Sequence, residues 1–329
     1  MVYVSEIMRL EDFGTAIPFP SKINPHLEAI RDGHERWLRK HRLISDGADA
    51  ESFKEWKMVE LAARAYPEVT ARGLRIAADA MGWFFRFDDL FDGGPLACDL
   101  AQASKFIAAA TGIAGNPGLL TELDEVPVIG AFRDIRRRSM RGMSRRWVKR
   151  SATRWRGYFT GNLKETVIRA TRAPISLAEL IKLRRYTIAA APSADLNESA
   201  SAFEISEKVR LNPHFQGMEA DTADAIIFVN DLWSANKEES AGEPFNAVSV
   251  IQNEAHCDRR TAQFKVADLL DDCIRRFRRR RESFEDWLAA QRMPERERSA
   301  ASHQVAHLQG WIRANYDWSL ESSRYRELL

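Results

Sequence analysis

The stretch FFRFDDLFD, residues 84–92, places three carboxylates directly behind three phenylalanines. If this stretch is helical, Asp88, Asp89 and Asp92 can gather on one side of the helix. Like charges so close repel one another unless a cation neutralises them, and Mg²⁺ is a hard cation that prefers oxygen ligands. The stretch therefore suggests a metal site at the rim of an apolar pocket. The alternative is a solvated acidic helix end before the break at residues 93–95.

A second polar pattern, NDLWSANKEE, covers residues 230–239. Asn230, Ser234 and Glu238 recur at every fourth position, which puts three oxygen donors along one helix face over about 12 Å. An amide, a hydroxyl and a single carboxylate bind a cation weakly on their own, so an anionic ligand such as diphosphate would supply most of the charge compensation. Taken alone, the pattern is more commonly that of a polar helix face.

Together, the two patterns resemble the metal-binding motifs of the class I terpene synthases (terpene cyclases), in particular those of the bacterial members. Residues 88–92 resemble the aspartate-rich motif, and residues 230–238 resemble the Asn/Ser/Glu motif. The order and the separation of the motifs also match. The resemblance implies an all-α bundle with a central active-site cavity.

Further matches lie outside these two motifs. Arg184 lies 46 residues before Asn230 (230 − 184 = 46), where the family has an arginine that senses diphosphate. Arg324 and Tyr325 match an Arg-Tyr pair near the family's C-terminus. With these features in the family's order, the resemblance extends over nearly the whole chain.

A break is expected shortly after Arg184, at residues 189–192, because Pro192 cannot continue a helical hydrogen-bond ladder. In the related enzymes a kinked helix here joins the sensor arginine to a linker residue and to an effector residue whose backbone carbonyl points into the pocket. By position, these are Thr187 and Ile188. The effector is more usually a small residue, often glycine, so Ile188 departs from the family pattern.

The resemblance also implies the ligands and the chemistry. It implies three Mg²⁺ ions, held by the two motifs, with Asp88 as the strongest candidate for direct ligation. Diphosphate would be bound by Arg184, Lys237, Arg324 and the Tyr325 hydroxyl. The candidate aromatic residues facing an allylic cation are Phe84, Phe85, Trp311 and Trp318, although Phe84 and Phe85 are not both expected to point inward. No protein general base is evident, so the departed diphosphate is expected to take the final proton.

The composition favours one globular helical domain, residues 1–329, with 45% hydrophobic and 29% charged residues and no clear boundary. No β pattern of alternating runs is found. Three cysteines without metal or redox spacing predict a reducing cytoplasm. No signal pattern and no 18-residue apolar run occur, so we predict no membrane span. A homodimer is expected from the family alone.

Helical spacing predicts a long helix from Val69 into the aspartates and another that begins near residue 219. Further helices are predicted over about 26–42, 51–65, 101–110, 118–138, 155–171, 177–189, 260–291 and 294–316.

Two basic runs invite a nucleic-acid interpretation: residues 133–150 carry nine Lys or Arg against one acid, and residues 275–281 carry six arginines. The formal net charge is only +2, and apolar residues interrupt the first run at helical intervals. We therefore predict solvated helix faces and no nucleic-acid partner. A helical nucleic-acid-binding protein stays the alternative from a different functional class.

The sequence thus predicts a cyclase that converts a linear prenyl diphosphate, with farnesyl diphosphate and a sesquiterpene product as the first choice. The alternatives are a diterpene synthase acting on geranylgeranyl diphosphate and a chain-elongating prenyltransferase. The prenyltransferase would require a second aspartate-rich motif where this chain has Asn230, Ser234 and Glu238.

Overall fold

The computed structural model of this chain is built of helices. It describes residues 9–241 and 245–325, without the side chains of residues 237, 239–241 and 325. No strand occurs in these ranges, which confirms the all-α prediction. None of the described helices is long and apolar enough to cross a membrane. The helices are α1 Leu27–Lys40, α2 Ala48–Glu55, α3 Met58–Ala65, α4 Ala71–Phe91, α5 Leu100–Gly115, α6 Pro127–Ser139, α7 Arg145–Thr171, α8 Leu177–Thr187, α9 Ala190–Ala200, α10 Glu207–Arg210, α11 Pro213–Ala241, α12 Ala247–Ala255, α13 Arg259–Ala290 and α14 Glu295–Glu321.

Two apolar cores hold the helices together. In the first, α4 packs against α1, α3 and α6, with Trp83 and Phe87 fully buried at its centre. In the second, α11 packs against α13 and α14, around Phe228 and Phe277. Ile188, between α8 and α9, contacts both cores. The space left between the two cores is the large cavity described below.

Helix α4 connects the first core to the cavity. Its start is fixed by Thr70, whose side chain accepts a hydrogen bond from the backbone N–H of Gly73 at 3.2 Å. Its apolar residues recur at helical spacing, and Trp83 anchors it by donating to the Val128 carbonyl at 2.7 Å. The last helical residue is Phe91, and Asp92 is the C-cap.

Three predicted helix starts are wrong, and in each case the chain supplies a local start signal. Helix α6 begins at Pro127 instead of residue 118, because the backbone N–H and the hydroxyl of Thr121 bond to the Asp124 carboxylate and form a turn. Helix α7 begins ten residues early, where the Ser144 hydroxyl accepts from Trp147 N–H at 3.1 Å. Helix α11 begins at Pro213 instead of near residue 219.

Two predicted helices are also interrupted or shortened. The helix expected over 51–65 is two helices, α2 and α3, because Lys57 adopts a left-handed conformation with φ of 56°. Helix α8 ends at Thr187, since Ala189 has φ of 59° and α9 starts at Ala190. The predicted break after Arg184 is thereby confirmed, and Pro192 falls in the first turn of α9, where its missing N–H is not needed.

The prediction of solvated basic faces is wrong for several of these arginines, which join helices instead. Arg136 is buried and donates to the Ala114 carbonyl at 2.8 Å, while Arg150 bonds to Glu198 at 2.7 Å. On α13, Arg276 and Arg280 both bond to Asp221 of α11, at 2.8 and 2.7 Å. Much of the basic charge therefore has acidic or carbonyl partners within the fold.

Candidate active site

A cavity of about 1450 Å³ lies between α4, α7, α8, α11, α12 and α14. Every predicted site residue whose side chain is described lines this cavity. The predictions for Lys237 and Tyr325 concern side chains outside the described residues. The residues brought together are Phe84, Phe85, Asp88, Asp89, Asp92, Arg184, Thr187, Ile188, Asn230, Ser234, Glu238, Trp311, Trp318 and Arg324.

The three aspartates at the end of α4 each have a different partner. Asp88 accepts a hydrogen bond from the Tyr158 hydroxyl at 3.0 Å, Asp89 from Arg324 Nη2 at 3.1 Å and Asp92 from Arg169 Nη2 at 2.8 Å. Burial raises the pKa of Asp88 well above its ordinary value, and the nearby Asp92 carboxylate raises it further.

Asp88, Asp89 and Asp92 all line the cavity, but they do not form one compact cluster. Among residues 9–241 and 245–325, no three His, Cys, Asp or Glu side chains are close enough together to hold a metal ion. The reason is local, because Asp92 is the C-cap, with φ of −92° and ψ of 80°, and no longer follows the helical spacing. Asp92 is paired with an arginine, and its carboxylate is exposed at the cavity mouth.

The second motif lies along one face of α11. The Ser234 hydroxyl donates to the Asn230 backbone carbonyl at 2.8 Å, one turn earlier. Glu238 Oε2 accepts from Nδ2 of Asn246 at 2.8 Å. Burial raises the pKa of Glu238 to about 7, with a further contribution from the carboxylate of Asp231.

This donor set fits a hard divalent cation. An amide oxygen, a hydroxyl and a carboxylate on α11 line the same cavity as the carboxylates of α4. Oxygen ligands of this kind are those that Mg²⁺ prefers, and Mg²⁺ takes only a few of them from protein. A nearby cation would also favour the ionised form of Glu238, whose pKa burial raises.

Arg184 contacts the second motif directly. Its Nη2 donates to Asn230 Oδ1 at 2.8 Å and to Asp231 Oδ1 at 2.7 Å. Burial opposes the charged form of this guanidinium, but the carboxylates of Asp231 and Glu238 outweigh that effect, so the pKa of Arg184 is raised. The arginine therefore stays charged inside the cavity, beside the candidate metal ligands.

The break between α8 and α9 lies at the cavity wall. Thr187 ends α8, and its hydroxyl donates to Glu165 Oε1 at 2.7 Å. Ile188 is the C-cap of α8 and also lines the cavity. Thr187 and Ile188 thus lie where the linker and effector positions were predicted, while their roles stay predictions.

Arg324, in the turn after α14, is held on an aromatic surface. Its guanidinium carbon is 4.3 Å from the centre of a Trp56 ring and 4.8 Å from that of Phe85. Together with the hydrogen bond to Asp89, these cation–π contacts keep the guanidinium at the α4 side of the cavity.

Aromatic rings form much of the apolar wall. Phe84 stacks on Trp155 with ring centres 5.3 Å apart, and Phe85 meets Trp318 edge to face, also at 5.3 Å. The expectation that Phe84 and Phe85 would not both face inward is wrong, since both line the cavity. The cavity is therefore wide enough to contact two consecutive side chains of α4.

Several polar residues of the site were not predicted. Glu165 on α7 is buried, and burial raises its pKa to about 7 despite the opposing charges of Arg169 and Arg184. Asp231 and Asn246 are fully buried beside the second motif. The available signal was the presence of charged and amide side chains within otherwise apolar helical stretches, as at Glu165 and Asp231.

Comparisons with known proteins find similar sequences and folds over nearly the whole chain. The sequence model of the family described as "Terpene synthase family 2, C-terminal metal binding" matches residues 79–276. The chain is 34% identical over 311 residues to a (−)-β-caryophyllene synthase "((2E,6E)-farnesyl diphosphate cyclizing)" of Saccharothrix espanaensis, covering 94% of this chain and 87% of that protein. It is 34% identical over 326 residues to a pentalenene synthase of Streptomyces avermitilis, covering 96% and 93%. Its fold is similar to the crystal structure of germacradien-4-ol synthase from Streptomyces citricolor, with a TM-score of 0.83, 29% identity and coverage of 94% of this chain and 99% of that chain.

Proposed function

The chain belongs to the bacterial class I terpene synthases, and from this premise we propose that it cyclises farnesyl diphosphate to a sesquiterpene with release of diphosphate. One observation carries the proposal: both candidate metal motifs line a single cavity whose wall continues into aromatic residues. A charged end for diphosphate and an apolar end for the prenyl chain are what this reaction needs.

A divalent metal cofactor is a property of the family, and we propose that here it is Mg²⁺, with three ions as the resemblance implies. When bound, the ions neutralise the negative charge that develops on the departing diphosphate. The residues that would hold them are Asp88, Asp89 and Asp92 on one wall and Asn230, Ser234 and Glu238 on the other.

Two arginines on opposite sides of the cavity are placed to bind the diphosphate. Guanidinium groups donate charge-assisted hydrogen bonds to phosphate oxygens. In the structure Arg184 instead contacts Asp231 at 2.7 Å and Arg324 contacts Asp89 at 3.1 Å. Binding of the substrate therefore requires the arginines to share or exchange these carboxylate partners. Lys237 and Tyr325 complete the proposed diphosphate site.

The aromatic wall would accommodate the cation left after ionisation. An aromatic face contributes about 2 kcal/mol or more to a desolvated cation. Phe84, Phe85, Trp311 and Trp318 are the candidates, and their packing keeps them in fixed orientations. Such a wall also excludes water, which would otherwise quench the cation. We propose that the departed diphosphate accepts the final proton.

The choice of farnesyl diphosphate rests on the relatives, one of which is named for cyclising that substrate. The motifs bind the diphosphate end only, so residues at the apolar end set the length of the chain. Each additional buried CH₂ contributes about 0.8 kcal/mol, so spare room there would favour geranylgeranyl diphosphate. We also propose a cytoplasmic location, which the three free cysteines favour. A homodimer is proposed from the family resemblance alone.

The test is to incubate the purified chain and Mg²⁺ separately with geranyl, farnesyl and geranylgeranyl diphosphates, and to analyse the extracts by gas chromatography with mass detection. We expect cyclic C15 products from the farnesyl substrate. The Asn230→Ala variant serves as the inactive control.

Three other outcomes would contradict the proposal in distinguishable ways. Cyclic C20 products with little C15 turnover would identify a diterpene synthase. Linear products that appear only with isopentenyl diphosphate would identify a chain-elongating prenyltransferase. Tight, salt-dependent gel shifts with nucleic acid and no prenyl diphosphate turnover would favour a nucleic-acid-binding protein.

A further inference from the structure

The side chain of Asn246, just before α12, is completely buried and uses both ends of its carboxamide. Its Oδ1 accepts a hydrogen bond from Val248 N–H at 2.8 Å, which caps α12. Its Nδ2 donates to Glu238 Oε2 at 2.8 Å and to the Asp231 backbone carbonyl at 2.9 Å. Because only the nitrogen end can donate and only the oxygen end can accept, these partners fix the orientation of the amide.

The neighbouring Asp231 joins the same group of residues to α8. Its Oδ2 accepts from the backbone N–H of Ala247 at 2.7 Å, and its Oδ1 accepts from Arg184 at 2.7 Å. Two side chains therefore bond the start of α12 to α11: Asn246 from the α12 side and Asp231 from α11. Nδ2 of Asn246 also lies 3.4 Å from the Ser234 hydroxyl, so its contacts reach two members of the second motif.

We propose that Asn246 is a positioning residue that holds the Glu238 carboxylate in the orientation required to bind the metal. This inference rests on the proposed function, because it takes Glu238 as a metal ligand. A hydrogen bond to one carboxylate oxygen restrains rotation of the group and gives the other oxygen a fixed direction. Hydrogen-bond partners of metal ligands commonly contribute about 10–100-fold to metal affinity.

A merely structural alternative is that Asn246 acts only as the N-cap of α12. Substitution can separate the two roles, because serine is also a strong N-cap but is too short to replace the amide donor to Glu238. Asn246→Ser therefore keeps the cap and loses the donor, whereas Asn246→Ala loses both. Asp258→Ala is a matched control, since Asp258 caps α13 by accepting from Thr261 N–H at 2.7 Å and does not line the cavity.

The experiment measures Mn²⁺ binding to the full-length chain by electron paramagnetic resonance, in the presence of inorganic diphosphate, together with the Tm of each metal-free variant. We expect Asn246→Ser and Asn246→Ala to bind Mn²⁺ at least about tenfold more weakly than the unsubstituted chain. Asn246→Ser should keep a higher Tm than Asn246→Ala, because it retains the helix cap although both variants lose the buried amide donor. Asp258→Ala should lower the Tm and leave Mn²⁺ binding unchanged.

Two results would overturn parts of the argument separately. Normal Mn²⁺ binding by Asn246→Ser, with a lowered Tm only for Asn246→Ala, would reduce Asn246 to a helix cap. Glu238→Gln provides the test of the underlying assumption. If Glu238→Gln bound Mn²⁺ normally, Glu238 would not be a ligand, and that part of the proposed function would fail independently of Asn246.

Discussion

Asp88 and Asn230 present oxygen atoms to the cavity from α4 and α11, so the loss of either removes a ligand that the opposite helix cannot replace. Asp88→Ala and Asn230→Ala should each lower kcat/KM about 100-fold or more while the chain stays folded. Steady-state turnover across a Mg²⁺ titration, with circular dichroism as the check on folding, measures this.

The matched control is Asp272→Ala, which removes an exposed carboxylate of α13 that pairs with Arg275, three residues further along the same helix. That variant should keep normal turnover. Near-normal turnover of either Asp88→Ala or Asn230→Ala at limiting Mg²⁺ would show that the two motifs do not form one site.

Glu165 allows a prediction about pH. Burial raises its pKa from the ordinary value of 4.5 to about 7 in the folded chain. Between these pH values the unfolded chain releases the proton and the folded chain keeps it, so this group stabilises the fold fully below pH 4.5 and loses that contribution as the pH rises through 7. The loss is on the order of 3 kcal/mol.

Glu165→Gln keeps an acceptor for the Thr187 hydroxyl and removes the titration. The variant should therefore gain stability relative to the unsubstituted chain as the pH is raised from 5 to about 7.5, by an amount up to that order. Urea unfolding at several pH values measures the difference. A difference in free energy that does not change with pH would mean that Glu165 titrates normally.

At the scale of elements, the contact between α7 and α8 depends on a close approach at Gly161. A Cβ atom added there would lie 2.8 Å from Thr187 Cγ2 and 3.0 Å from Tyr186 Cβ, so α8 would have to shift. Gly161→Ala should therefore destabilise the fold by about 1–3 kcal/mol and lower turnover, because Thr187 moves with α8. Thermal unfolding and steady-state kinetics test both effects.

Gly157, one turn earlier on α7, is the matched control. A Cβ atom there would meet only the ring of Tyr186, at 3.0 and 3.3 Å, and that residue is 53% exposed and can turn away. Alanine is also favoured over glycine within a helix by about 0.5–1 kcal/mol. Gly157→Ala should be neutral or stabilising, and equal losses from both variants would contradict the proposed role of the close approach.

The helices themselves could be predicted from apolar spacing, but several of their ends could not. The end of α8 was missed by two residues because Ala189 adopts φ of 59°, a conformation that nothing in an alanine-rich sequence indicates. The first six residues of α7 belong to the basic run at residues 133–150, for which a helix face but no helix start was predicted. The interpretation of that run as a solvated surface was wrong in part, because Arg136 is buried and Arg150 bonds to Glu198.

For the whole molecule, we expect closure of the cavity around the diphosphate to bring Arg184, Arg324 and Tyr325 together. Arg324→Ala removes a charge and several donors, and should lower kcat/KM about 100-fold. Tyr325→Phe removes one hydroxyl and should cost only about tenfold. Comparison of the two variants at saturating Mg²⁺ tests the order, and equally negligible effects would exclude this closure.

The site was more predictable than its internal contacts. The residues of the two motifs reach one cavity, as their family resemblance implied, because the fold of the family carries them there. The contact of Asp92 with Arg169 joins residues 77 positions apart, and nothing local in either sequence indicates it. Asn246 was missed for the same reason, since its importance comes from packing against α11.

On α4 and on α11, an apolar residue of the cavity wall lies one turn before a candidate metal ligand. Phe84 lies one turn before Asp88 on α4, and Ile226 lies one turn before Asn230 on α11. A displacement of either helix that reshaped the apolar wall would therefore also move a candidate metal ligand. A change of side-chain volume at Phe84 or Ile226 would alter the contour of the apolar wall without displacing a candidate metal ligand, so we expect such substitutions to change the product before they abolish turnover.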